Sequence, residues 1–363
     1  MTSLATPITF RSGATAHNRL ALAPLTNQQS HADGTISGDE HDWLVRRAAG
    51  GFAVVFTCAA HVSPDGQGFP GQLGVWGDHQ LPGLTRLAAD LASHGALGMV
   101  QLYHGGVRSP SALTGLQPLS ASAFDEPQPG FERPRPATAA DLARIHADFV
   151  AAARRCAAAG FAGVELHAAH GYLFSQFQSR TINQRDDDWG GSLENRARLL
   201  RDVARSVRAA CPAPFTVGVR LSPEDFGHAH GIDIDDTVQI ARWLADDGLD
   251  FVHISLWDGR KQSNKYPDRH PLALFRPALP AEVPILAAGK VWTRDDAEAL
   301  RDHGADIIAL GRAAILNPDW PRQALAGPFD PERGPLTRTQ YNAIAVGDRF
   351  VDYLHRFKLV RED

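Results

Sequence analysis

Apolar segments recur along the chain at spacings that leave room for a helix between neighbouring segments. Most are rich in valine, isoleucine and leucine and lack strict alternation of apolar and polar residues, which is typical of parallel strands buried on both faces. The pattern therefore predicts eight strands. They are Leu20–Leu25, Phe52–Cys58, Gly98–Tyr103, Gly163–His167, Phe215–Leu221, Phe251–Ile254, Pro284–Ala287 and Asp306–Leu310.

Several of the segments between these strands carry apolar residues at helical spacing. Four of them end near a glycine, where a residue in the left-handed conformation commonly caps a helix. The predicted helices include Leu81–His94, Ala139–Ala159, Glu194–Ala210, Asp235–Asp247 and Thr293–His303. The predicted capping glycines are Gly95, Gly160, Gly248 and Gly304.

The repeated order of helix, glycine and strand indicates an α/β fold made of βα units. Both a closed barrel and an open doubly wound sheet fit this order. Eight strands are the number that closes a barrel, and no G-x-G-x-x-G motif follows an early strand. We therefore predict a single (β/α)8 TIM barrel with loop excursions at its C-terminal face, the longest being Ser109–Pro136.

Composition and charge argue against several classes of protein. The net charge is -5 and no block of lysine or arginine is present, so we expect no nucleic-acid partner. No apolar run is long enough to span a membrane, and the N-terminus lacks the pattern of a signal peptide. Three scattered cysteines without Cys-x-x-Cys spacing indicate a reduced, cytoplasmic protein without a cysteine metal site.

Polar and small residues cluster where the predicted strands end, and that end of a β/α barrel carries the chemistry. These residues are Pro24, Leu25 and Thr26 after the first strand, Ala59 and His61 after the second, Gln101 and His104 at the third, His167, His170 and Tyr172 at the fourth, Arg220 in the fifth, Ala288, Gly289 and Lys290 after the seventh, and Gly311 and Arg312 after the eighth.

The last two strand ends indicate a phosphate site. Gly289 and Gly311 allow backbone N–H groups to approach an anion, and Arg312 supplies further donors. A helix could begin at Ala313–Leu316, as is common at the phosphate site of this fold. The alternative is a tight turn followed by a surface arginine.

The fourth strand end places His167, His170 and Tyr172 within six residues. Two imidazoles and a phenol at one βα junction favour a catalytic site over a structural role. A metal site is the competing interpretation. We expect no metal, because no Asp, Glu or Cys completes a ligand set nearby and Glu165 faces away from Leu166.

Arg220 lies inside an otherwise apolar strand and requires a partner, because arginine is rarely buried alone. One interpretation is an ion pair with a carboxylate on a neighbouring strand. The other is a cation that faces an electron-rich ring or a developing negative charge. The strand pattern leaves both open.

Four motifs resemble those of the Old Yellow Enzyme family of FMN-dependent NAD(P)H oxidoreductases, or ene-reductases. They are NRLALAPLT at Asn18–Thr26, VQLYHGG at Val100–Gly106, GVELHAAHGYL at Gly163–Leu173 and NQRDDDWGGSLENR at Asn183–Arg196. The later AAGK and ALGR segments complete the match, which extends from about residue 5 to residue 325. Thr26 follows the classical branch of the family, whereas the His167/His170 pair follows the thermophilic-like branch.

The resemblance implies tightly but non-covalently bound FMN, with NADPH or NADH as the reductant. Pro24, Leu25 and Thr26 would lie along the flavin ring, with Ala59 near it. Gln101 would bind the pyrimidine edge, and Arg220 would lie beside N1 and O2 and stabilise the anionic reduced flavin. The phosphate would be held by Ala288, Gly289, Lys290, Gly311 and Arg312.

The resemblance also implies a small-molecule enone substrate. His167 and His170 would bind its carbonyl oxygen, and Tyr172 would donate a proton to the α-carbon. The nicotinamide and the alkene would use the same place in turn, in a ping-pong cycle. The main alternative is a flavin-barrel dehydrogenase or oxidase of amines or saturated carbonyls. A flavin-free lyase or aldolase and a non-catalytic binding barrel fit the residues less well.

We predict one FMN-binding domain over residues 1–363, with a barrel core at about residues 18–325 and a helical extension at about residues 337–363. The extension would pack on the barrel or on a second copy of the chain, which would make the protein a homo-oligomer. The residues that would form this contact are Tyr341, Phe350, Tyr353, Leu354 and Phe357.

Overall fold

Eight parallel strands close into a barrel in the computed structural model, which describes residues 3–125 and 130–362. In chain order these strands are β1 (Leu20–Leu22), β2 (Val54–His61), β3 (Leu97–Tyr103), β4 (Gly163–Ala168), β5 (Thr216–Leu221), β6 (Phe251–Ser255), β7 (Ile285–Ala288) and β8 (Ile307–Leu310). The last strand pairs with the first, with Ile308 opposite Leu20. The predicted barrel is confirmed, and the doubly wound sheet is excluded.

The predicted C-terminal ends of two strands differ from the structure by three residues. β1 ends at Leu22 because the backbone soon reaches Pro24, which has no N–H to donate to a ladder. β2 instead continues through Ala59 and Ala60 to His61. The pairing of β2 with β3 shifts between Phe56 and Ala59, and this irregularity carries the strand past the predicted end.

Helices cover the outside of the barrel and extend beyond it. They are α1 (Gly38–Ala49), α2 (Leu81–Ser93), α3 (Ser111–Thr114), α4 (Ala139–Ala158), α5 (Leu173–Gln178), α6 (Leu193–Ala210), α7 (Ile234–Asp246), α8 (Leu272–Phe275), α9 (Arg294–Asp302), α10 (Arg312–Leu316), α11 (Trp320–Ala326), α12 (Arg338–Ala343) and α13 (Asp348–Leu354). All four predicted capping glycines have positive φ angles, as a left-handed cap requires.

Side chains that alternate along the strands fill the barrel interior. The lower layers are apolar and include Val54, Phe56, Met99 and Phe251. A hairpin formed by Ile8–Thr9 and Thr15–Ala16 precedes the barrel, and Phe10 in its turn packs against Phe251 with ring centroids 5.7 Å apart. Because Phe251 begins β6, this contact closes the N-terminal end of the barrel.

The long excursion after β3 is only partly regular. It contains α3 and a pair of two-residue strands, Leu119–Ser120 and Arg135–Pro136. Residues 126–129 of the predicted loop lie outside the described residues, as do Met1, Thr2 and Asp363 at the ends of the predicted domain. Within the described ranges, no helix is long and apolar enough to cross a membrane.

Arg47 on α1 connects the barrel to the C-terminal segment. Its guanidinium is fully buried and lies 3.7 Å from the centre of the Trp43 ring. It donates to the carbonyl oxygens of Ala314 at 3.2 Å and Ile315 at 2.8 Å, near the end of α10, and to that of Ile344 at 2.7 Å, after α12. One side chain therefore satisfies carbonyls of two helix ends that lack backbone partners.

We expect Arg47→Met to lower the free energy of unfolding by about 3 kcal/mol, because it leaves several buried carbonyls without a donor. Arg46→Met is the matched control. Arg46 is the neighbouring residue and forms a half-exposed ion pair with Asp319, so its loss should cost less than about 1 kcal/mol. Urea unfolding of both variants measures the difference, and equal losses would contradict the assigned role of Arg47.

Candidate functional site

A cavity of about 610 Å³ opens at the C-terminal ends of the barrel strands. It brings together most of the residues predicted from the strand ends, together with side chains from the C-terminal segment. Its walls are formed by Pro24, Leu25, Thr26, Ala59, Gln101, His167, His170, Tyr172, Arg220, Trp257, Arg312, Ile315, Phe350, Tyr353, Leu354 and Phe357. Four predicted phosphate-site residues, Ala288, Gly289, Lys290 and Gly311, lie at the adjoining strand ends and do not line this cavity.

The two histidines are positioned by the turn that follows β4. His170 has a positive φ of 62°, and Gly171 continues the turn with a φ of 74°. The turn is held by the backbone N–H of His170, which donates to the Ser222 hydroxyl at 3.0 Å. As a result His170 Nδ1 lies 3.3 Å from His167 Nε2, and His170 Nε2 lies 2.7 Å from the Ser255 hydroxyl.

Burial keeps both imidazoles neutral. Removal from water lowers the pKa of His167 well below its ordinary value, and the neighbouring His170 and Arg220 lower it further. The pKa of His170 is lowered for the same reason, first by burial and then by Arg220 and Arg108. Each neutral ring carries one N–H donor and one acceptor nitrogen.

Tyr172 follows the same turn and lies at the start of α5. Its ring is 4.9 Å from the His167 ring and 4.5 Å from the Tyr103 ring, measured between centroids. The Arg108 guanidinium lies 4.4 Å from the centre of the Tyr172 ring and donates to the His170 carbonyl at 3.0 Å. This stacked cation places positive charge against the phenol.

Arg220 is buried beside the histidines. It donates through Nη2 to the Ser255 hydroxyl at 3.1 Å, and its Nε has no hydrogen-bond partner in the described part of the chain. Burial lowers the pKa of Arg220 and the charge of Glu165 opposes that shift, while both oxygens of Glu165 bind other residues. Because Arg220 lines the cavity and carries a donor without a partner, it suits a ligand with acceptor atoms.

The residues of the predicted phosphate site differ in whether they line the cavity and whether they already contact other parts of the chain. Arg312 lines the cavity, and no hydrogen bond or ion pair engages its side chain within residues 3–125 and 130–362. Lys290 instead lies 3.4 Å from an oxygen of Asp258. A Cβ on Gly289 would come within 2.8 Å of Gly259 N, so close packing of the chain itself requires that glycine. Arg312 is therefore the cation most available to an anion.

The C-terminal segment forms the outer wall of the cavity. Phe350, Tyr353 and Leu354 come from α13, and Phe357 follows it. Burial raises the pKa of Tyr353, and the positive charge of Arg356 opposes that shift. The segment therefore packs on the barrel of its own chain, which is one of the two packing partners that we predicted.

Three polar residues near the cavity were not among the predicted site residues. Glu165 points into the barrel interior, as the alternation with Leu166 indicated, but its partners were not predicted. His253 and Ser255 lie on β6, within a short apolar run that carried no motif. A histidine and a serine two residues apart in a buried strand are the signal that could have identified them, because both would face the interior.

Within residues 3–125 and 130–362, no group of three or more His, Cys, Asp or Glu side chains is arranged to hold a metal ion. The three cysteines are buried and unpaired.

The model of the NADH:flavin oxidoreductase / NADH oxidase family matches residues 3–328 of this chain. The chain belongs to this family. It is therefore an FMN-dependent NAD(P)H oxidoreductase of the Old Yellow Enzyme type, and the predictions of family, enzyme class and cofactors are confirmed. The residue-by-residue roles stay predictions.

Among curated relatives, the probable NADH-dependent flavin oxidoreductase YqiG of Bacillus subtilis is 37% identical over 322 residues, covering 86% of this chain and 85% of that protein. The NADH:fumarate oxidoreductase of Klebsiella pneumoniae is 35% identical over 331 residues, covering 88% of this chain. The chain spans only 36% of that larger protein.

Among solved structures, the old yellow enzyme homologue from Zymomonas mobilis superposes with a TM-score of 0.80 at 28% sequence identity. The match covers 94% of this chain and 96% of that one.

Because folding lowers the pKa of His167 and His170, the unfolded chain binds more protons below pH 6.5, and stability should fall as the pH drops from 6.5 to 5. The slope is about 1.4 kcal/mol per pH unit for each histidine. We expect His167→Gln and His170→Gln each to flatten this loss. The exposed His31→Gln is the control, and a pH profile of unfolding that neither cavity variant changes would contradict the assignment.

Proposed function

We propose that this enzyme reduces the activated C=C bond of α,β-unsaturated carbonyl compounds with electrons from NADH or NADPH. The observation that carries the proposal is the neutral His167/His170 pair beside Tyr172, in the cavity that also holds the predicted flavin contacts. Together these side chains provide two N–H donors for the carbonyl oxygen of a substrate and one O–H that can give a proton to its α-carbon.

The described residues fit FMN along one side of the cavity. The ring would lie against Pro24, Leu25 and Thr26, with its pyrimidine edge at Gln101 and at the unpartnered Nε of Arg220. Arg312 would hold the phosphate. When bound there, FMN would supply the hydride-transfer chemistry between the nicotinamide and the alkene.

The histidines would bind the substrate oxygen. His167 Nε2 and His170 Nδ1 face each other at 3.3 Å, so a carbonyl oxygen placed between them would take the place of this contact and accept from both rings. Because both pKa values are lowered, the rings stay neutral and polarise the carbonyl by hydrogen bonding without giving up a proton.

Tyr172 would supply the proton to the α-carbon from its phenol oxygen. The Tyr172 ring contacts the His167 ring, so the Tyr172 hydroxyl and the imidazole nitrogens would contact the same substrate molecule. Arg108 stacked on the phenol would stabilise the negative charge left on Tyr172 after the transfer. The wall of Phe350, Tyr353 and Leu354 would shield this step from water.

The lining of the cavity favours a carbonyl substrate over an amine. The described lining contains two arginines and no aspartate or glutamate that could bind an ammonium group. A single cavity also supports a ping-pong cycle, in which the nicotinamide leaves before the alkene enters. Fumarate, named for one relative, is an unsaturated carboxylate, but most of that relative's length has no counterpart in this chain.

Anaerobic half-reactions test the proposal. The purified enzyme is reduced with NADH or NADPH until its visible flavin absorbance is lost, and cyclohexenone, fumarate or a primary amine is then added. We expect cyclohexenone to restore the absorbance and yield cyclohexanone. Restoration by fumarate alone, or reduction of the oxidised enzyme by the amine, would overturn the enone proposal.

The phenol of Tyr172 can be tested separately. We expect Tyr172→Phe to slow reoxidation by cyclohexenone about 100-fold or more, because the α-carbon loses its proton donor, while reduction by NAD(P)H stays unchanged. Tyr266→Phe removes a phenol hydroxyl that donates to Asp235 outside the cavity lining, and it should leave both half-reactions as in the wild type. Stopped-flow absorbance measures both rates. A slow reductive half-reaction in Tyr172→Phe would point to a role in binding instead.

A further inference from the structure

A polar layer lies inside the barrel directly below the cavity. The Glu165 carboxylate on β4 accepts from Gln101 Nε2 at 2.7 Å on one side and from His253 Nδ1 at 2.7 Å on the other. The side chains of Glu165 and His253 are wholly buried, and neither lines the cavity. Glu165 therefore acts on a ligand in the cavity without touching it, through its charge and through the side chains that it binds.

A glycine makes this contact across strands possible. Glu165 and Gly218 are register partners, and Gly218 is in turn the partner of Phe251 at the start of β6. A Cβ on Gly218 would lie 2.2 Å from the Phe251 ring. The missing side chain on β5 leaves room for Phe251 below and lets His253 reach Glu165 on β4.

Glu165 and Arg220 lie in the same interior without a direct hydrogen bond between them. The titratable or charged groups that face Glu165 are His253, Arg220 and His167, whereas β2, β7 and β8 contribute apolar residues to the interior cluster. Burial lowers the pKa of His253 and leaves it neutral. Burial also lowers the pKa of Arg220, and the negative charge of Glu165 opposes that shift. Arg220 lies two residues beyond Gly218 on β5 and faces the same interior, so we take Glu165 as its counter-charge.

We infer that Glu165 is a positioning residue that sets the reduction potential of FMN through Gln101 and Arg220. The inference rests on the proposed placement of the flavin edge at these two residues. By accepting from Gln101 Nε2, Glu165 turns Oε1 of that amide toward the ligand. By offsetting the charge of Arg220, it limits how strongly the arginine favours the more negative, reduced form of the cofactor.

The variant Glu165→Gln keeps the size of the side chain and removes its charge. We expect the ratio of the affinity for reduced FMN to that for oxidised FMN to be at least tenfold higher than in the wild type. A tenfold rise in this ratio raises the two-electron midpoint potential by about 30 mV. Glu165→Asp keeps the charge and should stay near the wild-type potential. Asp250→Asn removes another buried carboxylate, bonded to Arg208 and Val217 N at the N-terminal end of the barrel, and should leave the potential unchanged.

If Glu165→Gln does not fold, a second variant tests whether Glu165 affects the reduction potential. In His253→Leu the carboxylate loses one of its two donors, which changes how far its charge is offset. The midpoint potential of His253→Leu should therefore differ from that of the wild type. His253→Gln, which can still donate, should keep the wild-type potential.

Wild-type potentials in both Glu165→Gln and His253→Leu would overturn the inference, as would an equal shift in Asp250→Asn. Affinity for oxidised FMN separates this failure from a wrong placement of the cofactor. If Arg220→Met and Gln101→Met weaken FMN binding while the potential is insensitive to Glu165, only the inference is wrong. If neither of them changes FMN binding, the placement of the flavin edge is wrong.

Discussion

A carboxylate inside a barrel must be satisfied by side chains of the neighbouring strands, because no water reaches it. Glu165 meets this requirement with donors from β3 and β6 and with the charge of Arg220 from β5. Its presence fixes the side chains at the floor of the cavity. It also allows an arginine to remain charged where burial alone would disfavour the charge.

The same low-polarity interior has the opposite effect on the histidines. Burial and, after it, Arg220 lower the pKa of His167 and His170, so the cation predicted to face the flavin also disfavours protonation of the pair predicted to bind the carbonyl. The two halves of the proposed reaction are therefore coupled electrostatically. A change in charge at Arg220 would act on the proposed flavin edge and on the pKa values of both histidines.

The barrel and most of the cavity lining followed from the sequence because parallel strands have a strong apolar pattern and their C-terminal ends meet at one face. Boundaries were less accurate at β1 and β2, where a proline and a register shift override the pattern. The contact between Glu165 and His253 joins residues 88 positions apart. No local spacing reveals such a contact, because it depends on a glycine in the strand between them.

The outer wall of the cavity belongs to a different part of the chain from its floor. The family match ends at residue 328, whereas α13 spans Asp348–Leu354 and supplies Phe350 and Tyr353 to the lining. Arg47 holds this segment against α10, which begins with the phosphate candidate Arg312. The predicted cofactor contacts thus lie within the family match, whereas these aromatic residues of the cavity wall lie outside it.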